Sequence, residues 1–136
     1  MDVRRNGGGN SYLYPELLRT AIAFDARPGH RTYAIIDRKT YSAAMNFVID
    51  MDRLTNAVFV GEATGGSVEQ HGDASLLKLP YSGRNFAISS IVWNLSSPRD
   101  DRRWIAPDVP VALTAADYFA NRDPALDAVL ELIRRR

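Results

Sequence analysis

Two short apolar runs, Thr32-Tyr33-Ala34-Ile35-Ile36 and Ala57-Val58-Phe59-Val60, flank a stretch in which Ala44, Phe47, Val48, Met51 and Leu54 recur at helical spacing. β-branched and aromatic runs of this length read as buried strands, and the i, i+3, i+4, i+7 stripe reads as a helix with one core-facing side. A helix spanning Ser42 to Leu54 joins the first strand to the second. The expectation is an α/β fold in which the Ile35-Ile36 and Val58–Val60 segments are adjacent and the helix is their crossover.

The rest of the chain fits that frame. Asn6-Gly7-Gly8-Gly9-Asn10 is a backbone turn, and Ser11 to Phe24 reads helical, with Pro15 near its first turn, Leu17, Ala21 and Phe24 on one face, and Arg27-Pro28-Gly29 as its stop. A loop is expected from Gly65 to about Ser75, followed by strands Leu76–Leu79 and Phe86–Trp93 joined through Pro80-Tyr81-Ser82-Gly83-Arg84. Ile105–Val109 is extended and Ala115–Asn121 is a short helix. The last helix has Asp123 as N-cap, Pro124 at its first position, and Leu126, Val129, Leu130 and Ile133 turned inward.

Composition removes whole classes of function. There is no cysteine, so disulfide scaffolds, zinc–cysteine sites, iron–sulfur clusters and thiol nucleophiles are out, and two histidines are too few for a histidine-rich metal centre. No metal or cofactor is expected. Seventeen basic against 16 acidic residues leave +1, which lacks the concentrated basic surface of a nucleic-acid-binding domain. No stretch approaches the roughly 18 apolar residues of a spanning helix. At 136 residues the chain has room for one domain. Residues 1–136 are expected to form a single domain and, because Met1-Asp2-Val3-Arg4-Arg5 reads as the end of a strand, a fragment of a longer chain.

Two segments carry candidate chemistry. Three glycines between a strand and a helix bring bare N–H groups to a helix N-terminus, where an anion or a developing oxyanion can be held; taken alone they are more ordinarily a tight turn. Neither the dinucleotide fingerprint nor the phosphate loop fits their spacing. Ser42 stands where a strand gives way to a helix, a place that presents a hydroxyl at the tip of a sheet; by spacing alone, helix capping is the commoner role. His71 is a candidate general base on the loop, and His30 a surface turn residue.

Asp2-Val3-Arg4-Arg5-Asn6-Gly7-Gly8-Gly9 resembles the D-L-R-x-N-x-G-G strand-turn of the tail-specific (C-terminal processing) serine peptidases, a family related to tricorn-type proteases and retinoid-binding repeats. Thr40-Tyr41-Ser42-Ala43-Ala44 is similar to that family's T-A-S-A-A-E nucleophile segment. Val60-Gly61-Glu62-Ala63-Thr64-Gly65-Gly66 is similar to V-G-E-x-T-x-G. Pro107-Asp108-Val109 and Arg122-Asp123-Pro124-Ala125-Leu126 resemble its closing P-D-x-x-V and D-P-x-L segments. The resemblance implies a Clp protease/crotonase-like ββα superhelix and a nucleophile at Ser42. It also implies that residues 1–136 are a catalytic-type domain and the C-terminal part of the longer chain. It further implies an oxyanion hole from the N–H groups of Ala43 and Gly8 and a peptide or protein substrate, with a homo-oligomer or an upstream part of the same protein as partner; the compartment is left open, an extracytoplasmic one being typical of the resembled family.

The chain departs from the pattern at Ser67, where the Ser/Lys members carry their general-base lysine, and at Met45 in place of the glutamate after S-A-A. Lys39 and Lys78 lie elsewhere. The expected function is a serine-type peptidase acting through an acyl-enzyme on Ser42, with His71 as the base. The alternative is a family member that has lost the lysine and binds a peptide or apolar ligand; an acyl-CoA enzyme of crotonase type ranks third.

Overall fold

The computed structural model describes residues 1–135. In chain order its elements are a single 3-10 turn at Ser11–Leu13, then α1 (Pro15–Asp25), β1 (Tyr33–Ile36), α2 (Ala43–Leu54), β2 (Val58–Gly61), β3 (Glu69–Gly72), β4 (Ser75–Lys78), β5 (Asn85–Ile88), β6 (Ile91–Asn94), β7 (Val109–Pro110), α3 (Ala115–Phe119) and α4 (Pro124–Arg134). β1 and β2 pair in parallel, Tyr33 against Val58 through Ile36 against Gly61, and β7 adds to the other side of β2. Residues 1–3 extend the sheet beyond β1: Asp2 bridges Ile35 in parallel, with Val3 N–H donating to the Ile35 carbonyl and Ile35 N–H to that of Met1. The fold is α/β, and α2 is the crossover that the apolar stripe predicts.

Strand alternation sends neighbouring residues to opposite faces, and both faces are covered. Ala34, Ile36 and Phe59 join α1 and α2 in one core with Met45, Phe47, Val48, Ile49 and Met51, while Ile35 and Val60 pack under Ala125 and Val129 of α4. Short β-branched strands sandwiched by helices have no polar face, which is why β1 and β2 read as continuous apolar runs.

Several expectations are corrected. In α1 the inward residues are Leu18, Ala21 and Asp25, and Leu17 and Phe24 are exposed. The phase follows Asp25, whose carboxylate accepts from the backbone N–H groups of Thr32 (2.8 Å) and Asn56 (2.5 Å) and so ties the approaches to β1 and β2 together. Leu54 is exposed, and α2 buries Met45, Asn46 and Ile49 in addition to the stripe. Of the four residues expected inward on α4 only Val129 is buried; the small Ala125 lets the helix sit close to the sheet, which leaves Leu126, Leu130 and Ile133 on its exposed flank. The short helix ends at Phe119 rather than Asn121.

The region after Gly65 differs most. The expected loop contains β3, and the expected strand Phe86–Trp93 is broken at Ser89-Ser90 into β5 and β6. β3 pairs antiparallel with β6, and β4 with β5, so residues 69–94 form one long nested hairpin arm. Ser89 marks the break: its hydroxyl donates to the Gly72 carbonyl and accepts from Ile91 N–H, bonds that local serine chemistry offers in competition with the ladder.

Candidate active site

Ser42 immediately precedes α2, with φ 55° and ψ −127°. A non-glycine residue in this region is strained, and such strain persists only where the surroundings hold it. They do so here. Thr40, fully buried, donates its hydroxyl to the Val3 carbonyl (3.0 Å) and accepts from Asp37 N–H (3.1 Å), tying the turn after β1 to the neighbouring chain. Tyr41 N–H donates to the Asn6 carbonyl and Gly65 N–H to that of Thr40. The Ser42 carbonyl accepts from Asn46 N–H, closing the first turn of the helix. The side chain makes no capping bond, so the common role for a serine at this position is not the one it plays.

The glycine turn lies directly against this corner. A Cβ on Gly8 would fall 2.5 Å from Ser42 Cβ, 2.7 Å from Ala43 N and 2.9 Å from Ser42 Oγ, and φ at Gly8 is +99°. Only glycine combines that approach with that conformation. Ala43 N–H belongs to the first turn of α2, where backbone donors lack intrahelical acceptors. The N–H of Gly8, expected to stand free as an oxyanion donor, instead donates to Asn6 Oδ1 (3.0 Å). An asparagine two residues before a glycine turn forms this local ring readily, which is why the donor is occupied.

Most other residues of the matched segments act as ties around the corner. Arg4 bridges Asp2 (2.7 Å) and Asp123 (2.7 Å), so the first strand-turn and the start of α4 are held together across 119 residues of sequence. The Arg4 hydrogen bonds hold both carboxyls below their usual range, and the two carboxylates raise the guanidinium in turn. Glu62 pairs with Arg38 at 2.8 Å, and that hydrogen bond lowers its carboxyl. Asp108 accepts from Phe59 N–H (2.7 Å), and Thr64 exchanges bonds with Ile105, accepting from its N–H at 2.9 Å and donating N–H to its carbonyl at 3.1 Å. Gly65 packs against the Arg38 carbonyl, where a Cβ would stand 2.1 Å away.

His71 makes no hydrogen bond to Ser42 among the described residues. It lies on β3 rather than on a loop; its side chain is exposed, and its carbonyl accepts from Tyr41 Oη at 3.4 Å. The residue directed toward the corner is Gln70, which is buried and donates Nε2 to the Ser42 carbonyl (3.2 Å) and to Asn46 Oδ1 (2.8 Å). Neighbours on a strand point to opposite faces, so with Gln70 turned inward His71 turns away. Gln70 Oε1 is buried without a partner, and Asn46 in turn donates to Ser11 Oγ. Sequence reasoning passed over Gln70 and Asn46, and neither carries a local signal beyond being polar beside apolar neighbours. Ser67 is half-buried, and Lys39 and Lys78 are exposed. A cleft of about 710 Å3 lies along the carboxyl ends of the strands, between Arg5, Glu62 and Tyr118; Ser42 is not among its lining residues.

No family model and no curated protein matches the sequence. Solved structures do match in shape. A structure from Bacteroides fragilis described as an S41 protease is similar with a TM-score of 0.66 at 14% identity, over 98% of this chain and 43% of that one. A structure from Parabacteroides merdae described as a peptidase gives 0.63 at 23%, over 96% and 50%. The photosystem II D1 C-terminal processing protease gives 0.51 at 18%, over 82% and 33%. The chain thus spans half or less of the length of these proteins, and its α/β fold is that of a section of S41-type peptidases.

Proposed function

We propose that this chain carries the nucleophile corner of a serine peptidase, with Ser42 Oγ attacking a peptide carbonyl to form an acyl-enzyme. The observation that carries the reading is the backbone of Ser42: a strained, non-capping serine at a helix N-terminus, with its Oγ against a glycine turn. Such an elbow exposes the hydroxyl while directing the first N–H of the helix at the same point. Ala43 N–H is one oxyanion donor. Gly8 N–H is the second, released from Asn6 when the oxyanion forms, because a charged oxygen is a stronger acceptor than a neutral amide.

The Oγ proton has to leave, and among the described residues no lysine, histidine or carboxylate hydrogen-bonds to Ser42. General-base help is typically worth about 100-fold to 10,000-fold, so this chain alone should react slowly. That observation, with Gln70 holding the Ser42 carbonyl and Asn46, favours a second reading in which the corner binds a peptide without cleaving it. Labelling with a serine-reactive fluorophosphonate tests both. Slow labelling lost in Ser42→Ala and in Gly8→Val, and unchanged in His71→Ala, supports the nucleophile; loss of labelling in His71→Ala restores the histidine as base. Labelling that persists in Ser42→Ala overturns the first reading. No labelling, with saturable peptide binding weakened in Gln70→Ala, establishes the second.

A further inference from the structure

We propose that the hairpin arm is a docking element for an anionic lipid surface. The argument is independent of any chemistry at Ser42. All four residues of β4 and all four of β5 are exposed. Leu77 faces Phe86 across the ladder while Leu76 lies opposite Ala87, so apolar side chains leave the ribbon on both faces. Exposure is 72% for Leu76, 46% for Leu77 and 104% for Tyr81 at the turn. A two-stranded ribbon is marginal in water without something against it, and exposed apolar surface of this extent marks an interaction site.

Shape and charge decide what that something is. A protein partner with a flat or concave surface covers one face of a ribbon and leaves the other wet, whereas a fluid surface closes around a projecting tip from every side. The sequence from Ala74 to Arg99 contains no acidic residue. Lys78 and Arg84 stand on either side of the turn, and neither makes an ion pair among the described residues; Lys78 Cε lies 3.7 Å from where a Cβ on Gly83 would sit, so the cation reaches across the tip. Apolar residues and a tyrosine at the end, with cations just behind them, is the arrangement that inserts at headgroup level beside anionic lipids. The arm stops there. Four-residue strands span about 13 Å, and the unpaired edge carbonyls and N–H groups of β4 and β5 cannot enter the hydrocarbon core, so the depth is that of an interfacial element, roughly 5–10 Å.

Because the chain has no cysteine, Tyr81→Cys carries a single nitrobenzoxadiazole label. With phosphatidylcholine vesicles containing phosphatidylserine, the label should brighten and shift to the blue and the protein should float with the vesicles, while a label at Ala120→Cys stays unchanged. Lys78→Ala and Arg84→Ala should each weaken binding about fivefold, and added salt should do the same. Leu79→Asp with Tyr81→Asp should abolish it while leaving the urea midpoint within error. Equal binding to pure phosphatidylcholine overturns the anionic requirement. Absence of vesicle binding overturns the proposal, as does binding that survives the aspartate variants. Concentration-dependent dimerisation without vesicle binding, lost in those same variants, would assign the arm to a second copy of this chain instead.

Discussion

The corner that holds Ser42 and the arm that begins at Glu69 are adjacent and built on opposite terms. Around Ser42 the backbone is strained, and it is held by the Thr40 hydroxyl, the Gly8 and Gly65 approaches and a core on either side of the sheet. In the arm β3 keeps Gln70 buried against the corner, and from β4 through β6 every strand residue is exposed. Strain needs a rigid surround to persist, while strands in ordinary extended conformations can present apolar residues outward. Rigidity is concentrated where a reacting atom has to be positioned, and exposure where the molecule meets something else.

Equal truncations on the two sides should expose the contrast most strongly. Met45 is fully buried, and Met45→Ala should cost about 2–5 kcal/mol of unfolding free energy in urea denaturation. Leu77→Ala, on a half-exposed side chain, should stay within about 0.5 kcal/mol. If the two costs converge, the arm is packed in solution and the contrast is lost.

A smaller effect sharpens the account of the corner itself. Thr40→Val keeps the shape of the side chain and leaves the Val3 carbonyl and the Asp37 N–H without their shared partner, at a cost of about 1–3 kcal/mol. If Ser42 depends on that tie for its backbone geometry, fluorophosphonate labelling should fall by more than the stability loss accounts for at temperatures where the variant is fully folded. An unchanged labelling rate would mean that α2 alone holds the corner.

How much of this was legible follows from what kind of information each feature uses. The crossover of β1, α2 and β2 is written in local periodicity, and the approach of Gly8 to Ser42 followed from resemblance and glycine placement together. The conformation of Ser42 could not be read, since a capping serine and a strained one have the same neighbours in sequence. His71 was read on a loop, and nothing nearby signalled that Glu69–Gly72 is a strand whose alternation turns Gln70 inward and leaves His71 exposed. The inward turn of Asp25 depended on Thr32 and Asn56, groups 7 and 31 residues away. The nested arm depended on Ser89 breaking a run that reads as continuous.

The tie between Asp2, Arg4 and Asp123 should respond to acid in a direction fixed by its charges. Arg4 holds both carboxyls below their ordinary range in the folded protein. A depressed folded pKa means stability that is present above the unfolded value of about 3.9 and lost as pH falls through the lowered folded values. The urea midpoint should therefore drop below about pH 4, and less steeply in Asp123→Asn. At neutral pH that variant should lose about 1 kcal/mol, from the paired bonds to Arg4, because asparagine still accepts from the Leu126 N–H that Asp123 caps. An acid limb as steep as in the parent would assign the acid sensitivity to other carboxylates.

The smallest expected stability effect lies in the arm, and there the informative quantity is a rate. Amides of β4 and β5 bond only within the pair, since among the described residues the ribbon pairs with no third strand. Opening them breaks those bonds and releases little buried apolar surface, so the opening free energy should be far below that of global unfolding. Amides of β1 and β2 exchange only when a two-sided core opens, and should follow the global value. In hydrogen exchange the residue 75–88 ribbon should therefore be replaced first among the paired strands, and denaturant should leave its rate nearly unchanged because little surface is exposed on opening. Anionic vesicles should then slow it selectively. Slow, denaturant-sensitive exchange in the free protein would show that the arm is packed against another part of the molecule or another copy, and the opposition between a rigid corner and an open arm would fall.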